Sequence, residues 1–230
     1  MKFGLLQCDH VLDQFRPIAG DYDEMFARWL PGAWRVYDVA AQQLPEDFDE
    51  CDLWVGTGSK ASVYDDDPWI HAYAAWVRRA YEARAPFLGV CFGHQMMGHA
   101  LGGRVAKSWR GWGVGMHEFT VHQTERWMIP PLKAVHVLMS CQDQVEELPP
   151  DAVVLAGDDH CPVGIFRVGR MLGIQGHPEW IPGYAEALLA HRAARIGEER
   201  ARAARATLGQ AASNTQFEQW VRRFVTDSDQ

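Results

Sequence analysis

The sequence of 230 residues has no long hydrophobic run, no secretory leader and no excess of positive charge. A membrane-crossing helix needs about 18 apolar residues in a row, and no segment reaches that length. The mostly apolar residues 1–7 are followed by Cys8, Asp9 and His10, which is too early for the core of a signal peptide. We therefore expect a cytoplasmic protein without a membrane partner.

The charge balance is acidic, with 22 lysines and arginines against 30 aspartates and glutamates, giving a net charge of −8. This balance argues against nucleic acid as a partner, because the phosphates would be repelled. Hydrophobic residues make up 47% and charged residues 23% of the chain, as in ordinary folded globular proteins. Without repeats, low-complexity segments or linkers, residues 1–230 are expected to form a single domain.

Cysteine is scarce and odd in number, with five residues in all. Without a secretory leader, this indicates free thiols in a reducing compartment, and at least one of them is a candidate for reactivity. Cys91 lies near His94 and His99 in the sequence, and His160 is next to Cys161. Neither group repeats a metal-ligand pattern with a partner pair, so no metal site is predicted, and His94 and His99 are expected on a packed helix.

Strand-like runs alternate with helix-like stretches in the first half of the chain. Asp21 and Glu24 have the spacing of a capping box for a helix over residues 22–30. Asp67 and Pro68 mark the start of a second helix that continues to residue 83. Alternation of this kind predicts a mostly parallel sheet with helices on both faces. The predicted strands are Lys2–Gln7, 34–39, Leu53–Gly56 and Phe87–Val90, and the apolar stripe of the second helix is Ile70, Ala74, Val77 and Tyr81.

The second half of the chain is strand-rich until residue 181. Its strands are expected to extend the parallel core in antiparallel fashion, with Gly169 and Arg170 in a tight turn between the last two. From residue 181 to 230 the chain is rich in Ala and Arg and predicted to be helical, with a solvated charged face between residues 192 and 205 or, alternatively, a partner surface. The predicted strands are 116–121, 134–140, 152–156, 163–168 and 171–175.

The most informative segment is an apolar strand that runs into Gly-x-Cys-x-Gly at residues 89–93. This is the pattern of a nucleophile elbow, in which two glycines permit a sharp turn around a strained residue. Cys91 would then lie at a helix N-terminus, whose partial positive charge favours the thiolate. The N–H of Phe92 would be one oxyanion donor. A buried structural cysteine in a glycine turn is the alternative.

A thiol nucleophile needs a base, and the base needs an orienting group. His177, Pro178 and Glu179 follow the last predicted strand, and the proline keeps the backbone extended between the other two. The Glu179 carboxylate could then fix the tautomer of His177 and stabilise its imidazolium form. The sequence thus pairs a candidate Cys91 nucleophile with a candidate His177–Glu179 base.

A second glycine-rich turn, Gly-Thr-Gly-Ser at residues 56–59, follows another predicted core strand. Ligands commonly bind at such turns, at the carboxyl edge of a parallel sheet. Gly58 is the candidate for a second oxyanion donor. Phosphate binding is the rival interpretation, but the segment matches neither the P-loop nor the dinucleotide fingerprint.

These three motifs, in this order and spacing, resemble those of the class-I (triad) glutamine amidotransferases, in particular free-standing members similar to the glutaminase part of GMP synthase. The resemblance covers roughly residues 1–190 and implies a flavodoxin-like α/β fold with a mixed, mostly parallel sheet. It also implies a Cys-His-Glu triad, oxyanion donors from the two turns and a substrate-binding set. That set is Gln95, Ser140, Cys141 and Gln142.

The family often has His where this chain has Cys141 and Pro where it has Lys60. The resemblance implies cysteine-dependent hydrolysis of the glutamine side-chain amide to glutamate and ammonia, without a cofactor. The partners would be the small substrate and a possible synthetase subunit that receives the ammonia. Two alternatives stay open: a stand-alone hydrolase of γ-glutamyl peptides or conjugates, and a non-catalytic ligand-binding or regulatory relative.

Overall fold

The computed structural model describes residues 1–227, and its centre is a nine-stranded mixed sheet. Five neighbouring strands are parallel and four antiparallel strands continue the sheet on one side, which confirms the predicted fold class. The strands in chain order are β1 (Lys2–Gln7), β2 (Ala33–Asp38), β3 (Leu53–Gly56), β4 (Phe87–Val90), β5 (Arg104–Lys107), β6 (Gly113–Val121), β7 (Ala134–Cys141), β8 (Asp143–Glu147), β9 (Val153–Gly157), β10 (Ile165–Val168) and β11 (Met171–Ile174). Across the large sheet the order is β2, β1, β3, β4, β11, β10, β9, β6 and β7.

The last strand corrects one expectation about topology. Strand β11 does not simply extend the core as an antiparallel addition, because it pairs with β4 in parallel and is antiparallel only to β10. All four of its residues are buried, as is typical of a strand inside a parallel core. Gly169 and Arg170 do form the predicted two-residue turn, since Val168 pairs with Met171 and Gly169 has a φ of 55°.

Seven α-helices and one short 3-10 helix are present within residues 1–227. The capping box of the second helix is formed as predicted, with the Asp21 N–H donating to Glu24 at 2.8 Å. The third helix begins at Pro68 as predicted, although the Asp67 side chain makes no capping hydrogen bond. The helices are α1 (Arg16–Ala19), α2 (Tyr22–Trp29), α3 (Pro68–Glu82), α4 (Phe92–Ala100), α5 (Pro182–Ile196), α6 (Glu198–Thr207), α7 (Asn214–Asp227) and the 3-10 helix Phe48–Glu50.

The sheet separates two hydrophobic clusters, because successive side chains of a strand point to opposite faces. Leu5 faces the cluster formed with α2, α5 and α7, whereas Leu6 faces the cluster formed with α3 and α4. On α3 the predicted stripe is buried except for the half-buried Tyr81, and Tyr73 and Trp76 are buried with it. The predicted C-terminal helical segment is helical over most of residues 182–227, and residues 228–230 lie outside the described range.

Two structural features bring the chemistry-bearing segments together. The carboxyl ends of the parallel strands β3, β4 and β11 lie at the same edge of the sheet. Strand β7, at one end of the sheet, also approaches this edge, because the N–H of His177, just after β11, donates to the carbonyl of Leu138 on β7 at 2.8 Å. Within residues 1–227, no helix is both long and apolar enough to cross a bilayer.

Candidate active site

Cys91 occupies a strained turn between β4 and α4, with φ 53° and ψ −100°. A side chain rarely adopts a positive φ, so the surroundings must hold it there. The Cys91 N–H donates to the Ile174 carbonyl on β11 at 2.9 Å, and the Gly93 N–H donates to the Thr57 carbonyl at 3.1 Å. A Cβ at Gly93 would lie 2.5 Å from the Gly56 carbonyl oxygen, so this position requires glycine.

The imidazole of His177 is held between a carboxylate and an indole. Its Nδ1 lies 2.7 Å from Glu179 Oε1, and both residues are almost completely buried. The ring stacks on Trp180, with centroids 3.6 Å apart and planes 11° from parallel. These contacts fix the orientation of the ring, and the other side of the imidazole hydrogen-bonds with the Cys91 thiol. The structure therefore brings Cys91, His177 and Glu179 together.

The electrostatics of this cluster favour a thiolate and an imidazolium. A hydrogen bond from Cys141 holds the pKa of Cys91 well below its usual value, against the effect of burial, and the positive charge of His177 contributes in the same direction. Burial alone would lower the pKa of His177, but the nearby charges of Glu179 and Cys91 raise it to about 9. Both shifts favour the charged pair, and a thiolate is the form in which a cysteine can act as a nucleophile.

The four other thiols differ sharply from Cys91. Burial raises the pKa of Cys8 to about 12 and also raises the pKa of Cys51 and Cys161. The hydrogen bond with Cys91, together with burial, raises the pKa of Cys141, so this thiol stays protonated and acts as a donor. Cys91 is therefore the one thiol of the five whose pKa is lowered, and all five are free.

Gly58 and Phe92, the two candidate oxyanion donors, both lie next to Cys91. Within the described residues, neither N–H is engaged in a hydrogen bond. A Cβ at Gly58 would lie 2.9 Å from His177 Cε1 and 3.7 Å from Cys91 Cβ, which shows how closely this turn approaches the thiol and the imidazole. Phe92 is the first residue of α4, so its N–H has no partner in the helix.

The four residues of the expected substrate-binding set surround the same cleft, of about 150 Å³. Gln95 donates from Nε2 to the Asp143 carbonyl at 2.7 Å and to Gln175 Oε1 at 3.2 Å, so it also supports the backbone segment beside it. Ser140 accepts hydrogen bonds from Arg192 through Oγ and the carbonyl. The Gln142 carbonyl accepts from the Ser108 N–H at 2.9 Å.

Four lining residues were not identified from sequence motifs. Lys107, Trp112, Arg192 and Arg195 border the cleft beside Cys91. The two arginines were expected on a solvated helix face, and this is wrong for Arg192, which is half-buried and bonded to Ser140. Their i, i+3 spacing was visible in the sequence. Which part of the protein these two arginines face depends on how the sheet curves, and no local sequence pattern predicts that curvature.

The remaining candidates do not take part in the cluster. His94 is fully buried on α4 and packs edge-on against Phe166, and burial lowers the pKa of its ring to about 3. His99 is exposed on the same helix, although it too was expected in a packed position. Within residues 1–227, no group of three or more His, Cys, Asp or Glu side chains could hold a metal ion.

A larger cavity, of about 760 Å³, lies at the opposite end of β11, beside the turn at Gly169 and Arg170. None of the predicted site residues lines it. Volume alone does not identify the site here, because the smaller cleft is the one lined by Cys91, whose backbone is strained and whose pKa is lowered.

Comparison with known proteins places this chain in a family. The model of the glutamine amidotransferase class-I family matches residues 41–194, more than half of the chain. The chain belongs to the class-I glutamine amidotransferases. The resemblance of its motifs to this family is thereby confirmed.

Two kinds of curated relative are similar to this class-I glutamine amidotransferase. Gamma-glutamyl peptidase 5 of Arabidopsis thaliana is 32% identical over 157 residues, which are 64% of this chain and 62% of the relative. The glutamine-hydrolyzing GMP synthase of Thermomicrobium roseum is 31% identical over 171 residues, covering 69% of this chain and 30% of that protein. The similarity therefore spans about three-fifths of the first relative and less than a third of the second.

Solved structures support the fold over nearly the whole chain. A glutamine amidotransferase from Thermotoga maritima superimposes with a TM-score of 0.76, at 18% identity, and covers 97% of this chain and 98% of its own. A glutamine amido transferase from Methylobacillus flagellatus gives a TM-score of 0.72 at 18% identity, covering 98% and 94%. At these identities the likeness concerns the fold alone.

Two positions at which the sequence departs from the family pattern lie at the cleft. Cys141, where His is frequent, directs its thiol to Cys91. Lys60, where Pro is frequent, pairs with Asp9 Oδ1 at 3.0 Å, and its N–H donates to the other carboxylate oxygen of the same residue. The positive charge that Lys60 brings to the cleft is therefore largely neutralised by Asp9.

Proposed function

We propose that this enzyme hydrolyses a γ-glutamyl amide bond through a thioester on Cys91. The observation that carries this proposal is the buried Cys91–His177–Glu179 cluster, in which the thiol pKa is lowered and the imidazole pKa is raised to about 9. A structural cysteine would have no need of either shift. A non-catalytic relative would not be expected to keep both the strained turn and the charged pair.

In the first half-reaction the Cys91 thiolate attacks the γ-carbonyl carbon, and a C–S bond forms as the carbonyl becomes an oxyanion. The free N–H groups of Gly58 and Phe92 stabilise that charge, and one such donor is worth about 3 kcal/mol in the transition state. The His177 imidazolium gives its proton to the leaving nitrogen, the C–N bond breaks, and a γ-glutamyl thioester remains on Cys91.

In the second half-reaction neutral His177 accepts a proton from water, and the resulting hydroxide attacks the thioester carbonyl. The C–S bond breaks, glutamate leaves, and Cys91 returns as the thiolate beside a protonated imidazole. Glu179, whose Oε1 lies 2.7 Å from His177 Nδ1, stabilises the imidazolium each time it forms. No cofactor takes part in these steps.

The favoured substrate is a γ-glutamyl peptide or conjugate, with glutamine as the second candidate. The first is supported by the similarity to gamma-glutamyl peptidases and by the cleft residues beyond Cys91. The second is supported by the similarity to GMP synthases, and it would require a synthetase subunit to use the ammonia.

We further propose a single cytoplasmic domain, since the five thiols are free and helices α5–α7 pack on the same sheet.

The proposal is tested by assaying the purified protein with glutamine and with γ-glutamyl dipeptides while glutamate and ammonia are measured. We expect glutamate release by the wild type and none by Cys91→Ala, with unchanged thermal unfolding of the variant. An electrophilic glutamine analogue should label Cys91 alone among the five thiols in a peptide map. Turnover retained in Cys91→Ala, or labelling elsewhere, would contradict the mechanism.

A further inference from the structure

The cleft beside Cys91 is positively charged in a protein whose net charge is −8. Lys107, Arg192 and Arg195 line it, and within the described residues none of the three forms an ion pair with a carboxylate. A fourth cation, Lys60, is already paired with Asp9. The one carboxylate that lines the cleft belongs to Asp143. Unpaired cations that converge on a site at which substrate would bind indicate an anionic ligand.

Side-chain contacts position the two arginines, and a strand positions Lys107. Arg192 donates from Nη1 to Ser140 Oγ at 3.0 Å and to the Ser140 carbonyl at 3.3 Å. The guanidinium groups of Arg192 and Arg195 stand over the ring of Trp112, at 6.0 Å and 5.5 Å from its centroid. Lys107 ends β5 and pairs in register with Asp143 at the start of β8. Strand β5 and helix α5 thus set the backbone positions of the three residues, and the Lys107 and Arg195 side chains remain exposed to solvent.

A count of charges shows that a γ-glutamyl group alone leaves this cleft unbalanced. The group carries one ammonium and one carboxylate. Asp143 can balance the ammonium, and Arg192, which lies beside the backbone of the substrate-binding set, can balance the carboxylate. Lys107 and Arg195 then remain without a counter-charge. A leaving group that carries a carboxylate of its own would supply it.

We propose that Lys107 and Arg195 form a subsite for the carboxylate of the leaving group. The enzyme then prefers γ-glutamyl amino acids and peptides whose leaving group has a free carboxylate. Glutamine, and γ-glutamyl amides with neutral or cationic leaving groups, are poorer substrates. This inference rests on the proposed function and specifies its substrate. The subsite acts on binding and on positioning of the scissile amide, and it adds no step to the chemistry.

The test compares γ-glutamylglycine with γ-glutamylglycinamide, which have the same scissile bond and nearly the same size but differ in one negative charge. For the wild type we expect kcat/KM to be about tenfold higher for the acid. The double variant Lys107→Gln/Arg195→Gln should bring the two values to within about threefold, through loss of activity on the acid. The matched control is Arg202→Gln, an exposed cation on α6 outside the cleft, and it should keep the wild-type ratio.

A binding measurement separates the subsite from the chemistry. Calorimetry with Cys91→Ala should show tighter binding of the acid than of the amide, and raised ionic strength should reduce the difference. Equal kcat/KM and equal binding for the two compounds would overturn the subsite and leave the proposed function intact. Absence of turnover with all γ-glutamyl compounds would overturn the proposed function and, with it, this inference.

Discussion

Replacement of Gly58 by alanine is the sharpest test of the site geometry. The new Cβ would lie 2.9 Å from His177 Cε1, about 0.5 Å short of the closest ordinary contact at 3.4 Å, and at an ordinary 3.7 Å from Cys91 Cβ. Gly58 does not have a positive φ, so alanine introduces no backbone strain there. The backbone N–H is also retained. The perturbation is therefore a displacement of one imidazole by about half an ångström.

A displacement of about 1 Å at a catalytic group can cost about a hundredfold in rate, so we expect Gly58→Ala to lower kcat by about 10- to 100-fold. The assay is steady-state glutamate release, with thermal unfolding measured beside it. The matched control is Gly183→Ala near the start of α5, where the added Cβ meets Ile18 at 3.7 Å and activity should be unchanged. A Gly58→Ala enzyme with wild-type kcat would refute the placement of His177 beside this turn.

Three further predictions concern ionisation. Glu179→Gln should lower the pKa of His177 from about 9, because the counter-charge is lost while the ring stays buried. Alkylation of Cys91 by iodoacetamide, followed by peptide mapping, should then be slower at pH 7. An unchanged pH profile of alkylation would contradict the pairing of Glu179 with His177. Cys141→Ala should raise the pKa of Cys91 and slow the same alkylation by about tenfold at acidic pH, because a hydrogen bond to a charged group contributes about 1.5–3 kcal/mol. Cys141→Ser keeps a hydrogen-bond donor, so its alkylation rate should stay close to that of the wild type. Burial lowers the pKa of His94 to about 3, so as the pH falls the unfolded state takes up this proton before the folded state does, and stability is lost below about pH 6.5. Urea unfolding should show a free energy of unfolding about 2 kcal/mol lower at pH 5 than at neutral pH from this residue. A His94→Gln variant should lack this decrease.

The parallel half of the fold was predictable because its signals are local. Runs such as Phe87–Val90 are short, apolar and bounded by turn residues, and Asp21 with Glu24 marks a helix start by spacing alone. The pairing of β11 with β4 was not predictable in this way. A buried strand has the same apolar pattern whether its neighbour is parallel or antiparallel, so only the tertiary arrangement decides.

The candidate site divides along the same line. Cys91, His177 and Glu179 stand in motifs whose residue order reflects the chemistry, and the structure brings all three together. Trp180 and Lys107 carried no such signal. The stacking of Trp180 on the imidazole and the position of Lys107 at the cleft depend on the tertiary fold and not on a sequence motif.

Strand β7, which carries Cys141 to the cleft, is the outermost strand of the large sheet. Its exposed margin is fastened by Ser213: the His136 N–H donates to Ser213 Oγ at 3.0 Å, and the Ser213 N–H donates to the His136 carbonyl at 2.8 Å. Ser213 lies beyond residue 194, where the family match ends. A segment outside the matched range therefore holds in place the strand that carries Cys141. A substitution at Ser213 would therefore act on the cleft through the position of β7, since Ser213 itself does not line the cleft.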